Sequence, residues 1–367
     1  MHISRVVFDN RAEQGGKGKW LMNQNIHNWS EFERQAAYCR NAGSPVTAAV
    51  IETLTTILDD SSATGRRILN WPGDASADAL PIRLAGGLHA LARRGDDDAL
   101  AALYRGATVN LKTTLKKALL TNDDWLCDWL KSPPQTNEVM RCSGLMAGLM
   151  VIADRIRQPI ALLELGSSAG LNLNLDRFRY TLGNCNFGPS RSPVYIKPEW
   201  IGDSPPNIIP QIVSRAGVDI APIDVFSDAA VERLLAYVWA GQTARSDRLE
   251  AAIKLARTAP VPVQVAQGDA IIWLKDQLTL PQPADTTRVI MHSVFWQYLP
   301  AAARQQLVAT IKAAGAHATD QRPLAWLMFE PFDTKTPVMR LNLQIWPSGD
   351  ELCLADCQAH GLSINWK

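Results

Sequence analysis

Residues 159–172 read Pro-Ile-Ala-Leu-Leu-Glu-Leu-Gly-Ser-Ser-Ala-Gly-Leu-Asn. An apolar run, Ile160–Leu165, carries an acidic residue, Glu164, near its end and passes into a turn bounded by Gly166 and Gly170. This order predicts a buried strand, a tight turn and an immediate helix start. Gly166 lets the backbone reverse, and Gly170 lets the next helix approach the strand. A Rossmann-like sheet opens its ligand crevice with such a turn.

The spacing inside this turn separates several classes of ligand. A dinucleotide fingerprint, G-x-G-x-x-G, needs a glycine where this chain has Ser168, and a P-loop needs a Gly-Lys-Ser/Thr sequence that this turn lacks. The pattern E-x-G-x-x-x-G-x-N is typical of S-adenosylmethionine (SAM) enzymes, whose ligand carries an amino acid and a sulfonium in place of phosphates. We therefore expect SAM as the cofactor, bound by Glu164, Gly166, Ser167, Ser168, Gly170 and Asn172.

The same five residues, Gly166–Gly170, also match G-x-S-x-G, the nucleophile elbow of α/β-hydrolases. A serine hydrolase that uses Ser168 is therefore an alternative, and it would need a histidine such as His292 or His360 to converge on that serine. A hydrolase elbow follows several earlier strands, whereas residues 30–157 read as helices almost throughout. A non-catalytic ligand-binding module on the same fold is the second alternative.

Composition favours a small-molecule substrate. Lys plus Arg (37) nearly cancels Asp plus Glu (36), so the basic surface of a nucleic-acid binder is not expected. No apolar stretch approaches the roughly 20 residues of a membrane span, and we expect a cytoplasmic protein with no membrane partner. The six cysteines have neither CxxC pairs nor histidines at metal spacing, so no metal site is expected. The oligomeric state is left open.

The fold class predicted is α/β, with a Rossmann-like, methyltransferase-type sheet preceded by an all-α N-terminal domain. A loose arm over residues 1–29 leads into a helical cover domain over 30–158, with a capping box at Ser30 marking its first helix. Residues 159–367 form the SAM-binding domain, with an insertion at 179–210 rich in glycine and proline. The last strands alternate like an antiparallel hairpin turned at residues 347–350.

Ligands of such sheets bind beyond the carboxyl ends of the strands, so the residues that end each strand are candidates. Asp219, or alternatively Asp224, stands where an acidic residue would accept hydrogen bonds from both ribose hydroxyls. Asp269, in Gln267-Gly268-Asp269-Ala270, stands where it could accept from the adenine amino group. A helix cap is the competing role for each.

Two further strand ends supply candidate catalytic groups. His292 is the best candidate base because the unperturbed histidine pKa lies near 6.5, although a lone histidine is often structural. Glu330, before Pro331, could orient an amine or hydroxyl acceptor. Tyr298 follows His292 closely and is expected to contact the substrate.

A polar cluster precedes the first strand. Thr136 is expected to cap a helix whose first turn holds Asn137, Glu138 and Arg141. Because this helix leads straight into the strand, we expect its polar start to contact the substrate as the edge of a cover that excludes water.

Five motifs together resemble the bacterial "domain of unknown function 2332" family, over about Glu33 to Trp366. They are Gln135–Glu138, Leu163–Asn172, Asp176–Tyr180, Ala236–Trp239 and Gln267–Asp269. The resemblance implies a helical N-terminal part joined to a Rossmann-like, methyltransferase-type domain. It carries no established reaction.

Overall fold

A computed structural model describes the backbone of residues 16–332 and 338–367, and the side chains from residue 29 onward within those ranges. The chain forms two compact units. The first comprises Met1–Pro134 together with Ala236–Thr243, and the second comprises Gln135–Leu235 together with Ala244–Lys367.

The first unit is helical throughout its regular structure. Its helices in the described residues are α1 Gly16–Asn41, α2 Pro45–Ile57, α3 Ala63–Leu69, α4 Leu80–Arg94, α5 Asp98–Tyr104, α6 Leu111–Thr121 and α7 Asp123–Trp129. The prediction of an arm over residues 1–29 is wrong from residue 16 onward, because α1 runs uninterrupted through Ser30. No glycine or proline breaks the sequence between Gly18 and Gly43, so Ser30 is not the first capping residue. The rest of the predicted arm lies outside the described residues.

Polar caps and a continuous apolar core stabilise this unit. Asp97 accepts hydrogen bonds from Ala99 N and Leu100 N at the start of α5, which satisfies two of the free N–H groups there. The returning segment Ala236–Thr243 completes the core. Tyr237 is buried against Gly86 of α4, where even a Cβ atom would come within 2.4 Å of the ring. Ser44 Oγ donates to Ala240 O at 2.7 Å.

The second unit is built on a nine-stranded sheet in the order β5-β12-β11-β10-β9-β8-β1-β6-β7. The strands of the unit are β1 Ile160–Leu165, β2 Arg179–Leu182, β3 Cys185–Phe187, β4 Tyr195–Ile196, β5 Glu199–Ile201, β6 Ile212–Asp219, β7 Val265–Gln267, β8 Thr287–Ser293, β9 Leu324–Pro331, β10 Met339–Trp346, β11 Glu351–Cys357 and β12 Ser363–Trp366. Strands β7, β6, β1, β8 and β9 are parallel, and β9 to β12 form an antiparallel meander. The α/β class and the hairpin at residues 347–350 are therefore confirmed.

The strand order reverses direction once beside β1. After β1 the chain adds β6 and then β7 on one side, and only later returns to add β8 on the other side of β1. Such a reversal is a topological switch point, where the loops that leave two neighbouring strands diverge. The loops that follow β1 and β8 leave the sheet at this point, which is therefore the candidate position for a ligand.

The predicted insertion at residues 179–210 contains more regular structure than a loop. Strands β3, β2 and β4 form a separate three-stranded sheet, and β5 pairs in parallel with β12 at the outer edge of the main sheet. The insertion thereby pairs the backbone groups of β12, and β5 becomes the edge strand of the sheet.

The helices of this unit are α8 Cys142–Ile156, α9 Asp228–Ala236, α10 Thr243–Arg257, α11 Ala270–Thr279 and α12 Ala301–Ala316, with 3-10 turns at Val139–Arg141, Asn172–Arg177 and Trp296–Tyr298. The sequence places α8 in the helical domain, before a boundary at residue 158. The structure instead groups it with the sheet, because Gly144 and Gly148 let α8 lie directly on Phe329 and Leu327 of β9. No helix in the described residues is long and apolar enough to cross a membrane.

Candidate functional site

The loop after β1 is held in shape by hydrogen bonds from its own backbone. Gly166 N and Ser167 N both donate to Val218 O, and Gly170 N donates to Ser167 O. Gly166 and Gly170 have φ values of 69° and 68°, a conformation that glycine adopts without strain. Since these N–H groups already have partners, the loop is poorly suited to cradle a phosphate.

Gly170 serves a different purpose from the one predicted. A Cβ at this position would lie 2.8 Å from Val265 Cγ2 of β7, so the glycine makes room for that strand and not for a following helix. The loop continues into the 3-10 turn Asn172–Arg177 where a helix was expected. Arg215 on β6 anchors this turn through paired hydrogen bonds of 2.6 and 2.8 Å to Asp176.

Glu164 is almost completely buried at the end of the central strand β1. Its Oε1 accepts a hydrogen bond from Asn172 Nδ2 at 3.2 Å, whereas its Oε2 has no partner among the described residues. Burial raises the pKa of this carboxyl to about 8, and the nearby Asp219 adds to the rise, while the hydrogen bond from Asn172 opposes it. The site thus contains a buried carboxyl group that holds a proton at pH 7 and whose Oε2 has no hydrogen-bond partner among the described residues.

Asp219 lies beside this loop at the end of β6. Its Oδ2 accepts from Ser168 N at 2.8 Å and its Oδ1 from Ala221 N at 3.0 Å. Each carboxylate oxygen can accept a further hydrogen bond. Ile220, the next residue, is 72% exposed and presents an apolar surface next to that carboxylate. The alternative, Asp224, is exposed and accepts from Phe226 N within its own turn.

Asp269 occupies the helix-capping role that competed with ligand binding. Its Oδ1 accepts from Ile271 N at 2.8 Å and Ile272 N at 3.0 Å, at the start of α11. Its Oδ2 has no hydrogen bond in the described residues, and the residue is exposed.

His292 and Glu330 form one buried network at the ends of β8 and β9. His292 Nδ1 lies 2.7 Å from Glu330 Oε1, and Trp326 Nε1 donates to His292 Nε2 at 3.0 Å. Glu330 also accepts from the backbone N of Phe295 and of Trp296. Both ring nitrogens of His292 are therefore engaged and the ring is fully buried, so the geometry gives it a positioning role. Tyr298 is 73% exposed at the end of the adjoining 3-10 turn.

The predicted polar edge meets the loop directly. Asn137 Oδ1 accepts from Leu171 N at 3.1 Å, which ties this segment to the loop after β1. Glu138 caps the 3-10 turn by accepting from Met140 N at 3.2 Å, a role predicted for Thr136. Arg141 donates from Nε to Ala359 O at 3.0 Å. These residues belong to the same unit as the sheet, so the polar edge is not part of the helical unit.

Glu138 is surrounded by two arginines that the sequence analysis did not name and by His360, which it named only for the hydrolase alternative. Arg245 Nε lies 2.5 Å from Glu138 Oε2, in an ion pair that lacks the alignment of a hydrogen bond. Arg248 and His360 also interact electrostatically with Glu138. Arg245 and Arg248 are three residues apart near the start of α10, where the helix dipole disfavours cations, and that placement was a signal open to sequence reasoning.

Ser168 has features relevant to the hydrolase alternative. Its φ of 52° is unusual for a residue with a side chain, and its Oγ is buried without a hydrogen-bond partner in the described residues. A hydrolase nucleophile needs a base within hydrogen-bond reach. No histidine makes a hydrogen bond to this hydroxyl, and no group of three or more His, Cys, Asp or Glu side chains in the described residues is placed to hold a metal ion.

Residues 30–366 match the model of a family described as an uncharacterized protein conserved in bacteria, domain of unknown function 2332, and the chain belongs to that family. No curated protein matches the sequence.

Proposed function

We propose that this family member binds SAM in the crevice beside β1 and transfers its methyl group to a small molecule. The observation that carries the proposal is the unpartnered Oε2 of Glu164, buried at the end of the central strand. A buried carboxyl oxygen without a partner is costly to the folded protein unless a ligand supplies that partner. The ammonium group of an amino acid is a donor of the right charge for a carboxylate.

The residues present suit the ammonium group, the ribose and the adenine of SAM. Glu164 and Asn172 would receive the amino-acid end, since the loop beside them has its N–H groups occupied and favours a cation over a phosphate. Asp219 has lone pairs for both ribose hydroxyls, and the exposed side chain of Ile220 would lie under the adenine ring. Asp269 Oδ2 is free to accept from an amino group at the next strand end.

When bound, SAM would supply an electrophilic methyl group on a sulfonium. The work left to the protein is to align the acceptor and to take its proton. Glu330 is suited to orient the acceptor because His292 and two backbone N–H groups hold its carboxylate in place, while Oε2 has only the 3.2 Å hydrogen bond from Trp296 N. His292 then acts through Glu330, and Tyr298 offers an exposed contact for the acceptor.

Isothermal titration calorimetry with SAM and with S-adenosylhomocysteine tests this proposal directly. We expect saturable binding to the wild type, and at 100 times Kd a stabilisation of roughly 2.7 kcal/mol in thermal unfolding. Asp219→Asn should weaken binding at least about tenfold, because it removes the charge that accepts from the ribose. ATP, which shares the adenosine but carries phosphates, is the matched ligand control and should not bind. Absence of both heat and stabilisation with SAM would contradict the proposal.

A serine hydrolase is the second candidate, favoured by the positive φ and the unbonded hydroxyl of Ser168. A strained serine at a turn after a strand is a feature of nucleophile elbows. It lacks a hydrogen-bonded base, which is why we place it second.

A further inference from the structure

The cluster around Glu138 contains more positive than negative charge. Three arginines, Arg141, Arg245 and Arg248, interact electrostatically with this one buried carboxylate. His360 is the fourth basic neighbour, and burial lowers its pKa to about 4, helped by Arg245 and Arg141 and opposed by Glu138, so it is neutral at pH 7. Glu138 and Glu330, a carboxylate that also interacts with Arg141, can together compensate only two of the three guanidinium groups.

Two of these guanidinium groups have donors without acceptors. In the described residues Arg141 makes a single hydrogen bond, from Nε to Ala359 O. Arg248 Nε is buried and also has no hydrogen-bond partner among the described residues. Arginine carries five N–H donors in a planar fork that matches carboxylate and phosphate oxygens. Arg248 Nε is a buried donor of this kind, and such donors are normally satisfied, so we expect a ligand to supply its acceptor.

The N-terminal end of α10, which carries two of these arginines, is also electropositive. Arg245 and Arg248 lie in the first two turns of α10, a helix of 15 residues whose first turn has no acidic side chain. The N-terminus of a helix has a partial positive charge, so two cations there raise each other's energy and that of the helix. A bound anion would offset both the repulsion between the two arginines and the unfavourable interaction of each arginine with the helix dipole.

The cluster also reaches the carboxyl edge of the parallel strands. Ala359 and His360 lie in the turn that follows Cys357 at the end of β11. Cys357 pairs with Met339 of β10, which in turn pairs with Pro331 at the end of β9, so this turn lies at the same edge of the sheet. Arg141 interacts electrostatically with Tyr298 and with Glu330, which lie at the ends of β8 and β9. Asp219, the residue assigned to the ribose, ends β6 on the other side of β1.

We infer that Arg141 and Arg248, organised by the Glu138–Arg245 ion pair, bind an anionic group, a carboxylate or phosphate, on the methyl acceptor. The assignment to the acceptor rests on the proposed function, whereas the anion site itself does not. The carboxylate of SAM is the other source of the same chemistry. Arg141 interacts with Tyr298 and Glu330, which lie on the β8 side of β1, whereas the ribose site at Asp219 lies on the other side. This separation favours the acceptor as the source of the anion.

Calorimetry with inorganic phosphate and with malonate as probes tests the site, with sodium chloride at equal ionic strength as the blank. We expect at least one probe to bind the wild type, and Arg248→Gln and Arg141→Gln each to weaken it about tenfold or more, the effect of removing a charge-assisted hydrogen bond. Arg248→Lys keeps the charge but loses the fork, and should give a smaller loss. Arg155→Gln, roughly 20 Å away at the other end of α8, is the matched control and should bind like the wild type.

SAM titrated into the same variants separates the two conclusions. SAM affinity within about threefold of the wild type in Arg248→Gln assigns the anion to the acceptor, and a loss as large as that of the probe overturns that assignment. Probe binding that depends on Arg248, in a protein that does not bind SAM, would leave the anion site standing and remove the proposed function. The anion site is overturned if neither probe binds beyond the chloride blank, or if Arg155→Gln weakens the probe as much as Arg248→Gln.

Discussion

Trp326 Nε1 donates a hydrogen bond to His292 Nε2 at 3.0 Å, between neighbouring strands β9 and β8. An indole N–H can only donate, so Nε2 carries the lone pair and the proton of the neutral ring lies on Nδ1. That proton is donated to Glu330 Oε1 at 2.7 Å. The tryptophan therefore determines the tautomer of the histidine, and the histidine in turn positions the carboxylate.

His292→Ala should destabilise the protein by about 3 kcal/mol or more. The change opens a cavity in a fully buried site and removes a hydrogen bond from a buried carboxylate. Trp326→Phe removes only the donor to Nε2 and should cost about 1 kcal/mol. Urea unfolding measures both. A His292→Ala protein of unchanged stability that has lost methyl transfer would show that the histidine is the base and not a positioning residue.

The pKa of Glu164 makes the stability of the protein depend on pH. The folded state keeps a proton on this carboxyl up to about pH 8, whereas the unfolded chain loses it near 4.5. The free energy of unfolding should therefore fall as pH rises from about 4.5 to about 8, and then level off. Glu164→Gln stays neutral and should lack this decline in thermal scans. Glu199→Gln, an exposed carboxyl on β5, is the control and should keep it. A Glu164→Gln profile parallel to that of the wild type would contradict the assigned pKa.

Cationic ligands should displace the same proton. Since an ammonium group beside Glu164 favours the ionised carboxylate, SAM binding at pH 7 should release about one proton to the buffer. Calorimetry in buffers of different ionisation enthalpy measures this number. Release of the same number of protons by Glu164→Gln would place the ligand's cation elsewhere.

Gly170→Ala should weaken SAM binding as well as stability. An added Cβ is strained at a φ of 68° and comes within 2.8 Å of Val265, so the loop must move. Gly349→Ala in the β10–β11 turn is a matched control, because its φ is 78° and nothing lies within 4 Å of the added atom. We expect about 1 kcal/mol from backbone strain in the control and a larger loss for Gly170→Ala. Equal effects of the two changes on stability and on SAM affinity would show that the loop tolerates the side chain.

Ser168 should not react with fluorophosphonate probes. Its hydroxyl has no hydrogen-bonded base in the described residues, so it remains a weak nucleophile. Mass spectrometry after labelling measures the modification. Stoichiometric labelling of the wild type that disappears in Ser168→Ala would establish the hydrolase in place of the methyltransferase.

The features of this protein that depend on short sequence spans could be predicted. The apolar run of β1, the glycine turn and the hairpin at residues 347–350 each have local causes, namely burial of a central strand and reversed backbone conformations. The polar contact between Asn137 and the loop was also within reach, because its segment leads directly to β1.

The features that depend on residues far apart in the sequence could not be predicted. Whether Asp269 only caps α11 or also binds a ligand depends on the position of its free carboxylate oxygen. The role of His292 depends on Trp326 and Glu330, which lie on a different strand. Arg245 and Arg248, which lie beside Glu138, are more than a hundred residues further along the chain. Sequence alone gives no distance between such groups.

The return of Ala236–Thr243 to the first unit has a consequence for synthesis on the ribosome. The space beside Gly86 is filled by Tyr237, which the ribosome adds only after residues 135–235 of the other unit. At about 5–20 residues per second, the helical unit must wait roughly 5–20 s for its last core side chain. During that interval the apolar surface around Trp129 and Gly86 lacks the Tyr237 ring that covers it in the folded protein, so we expect chaperones to bind the nascent chain there.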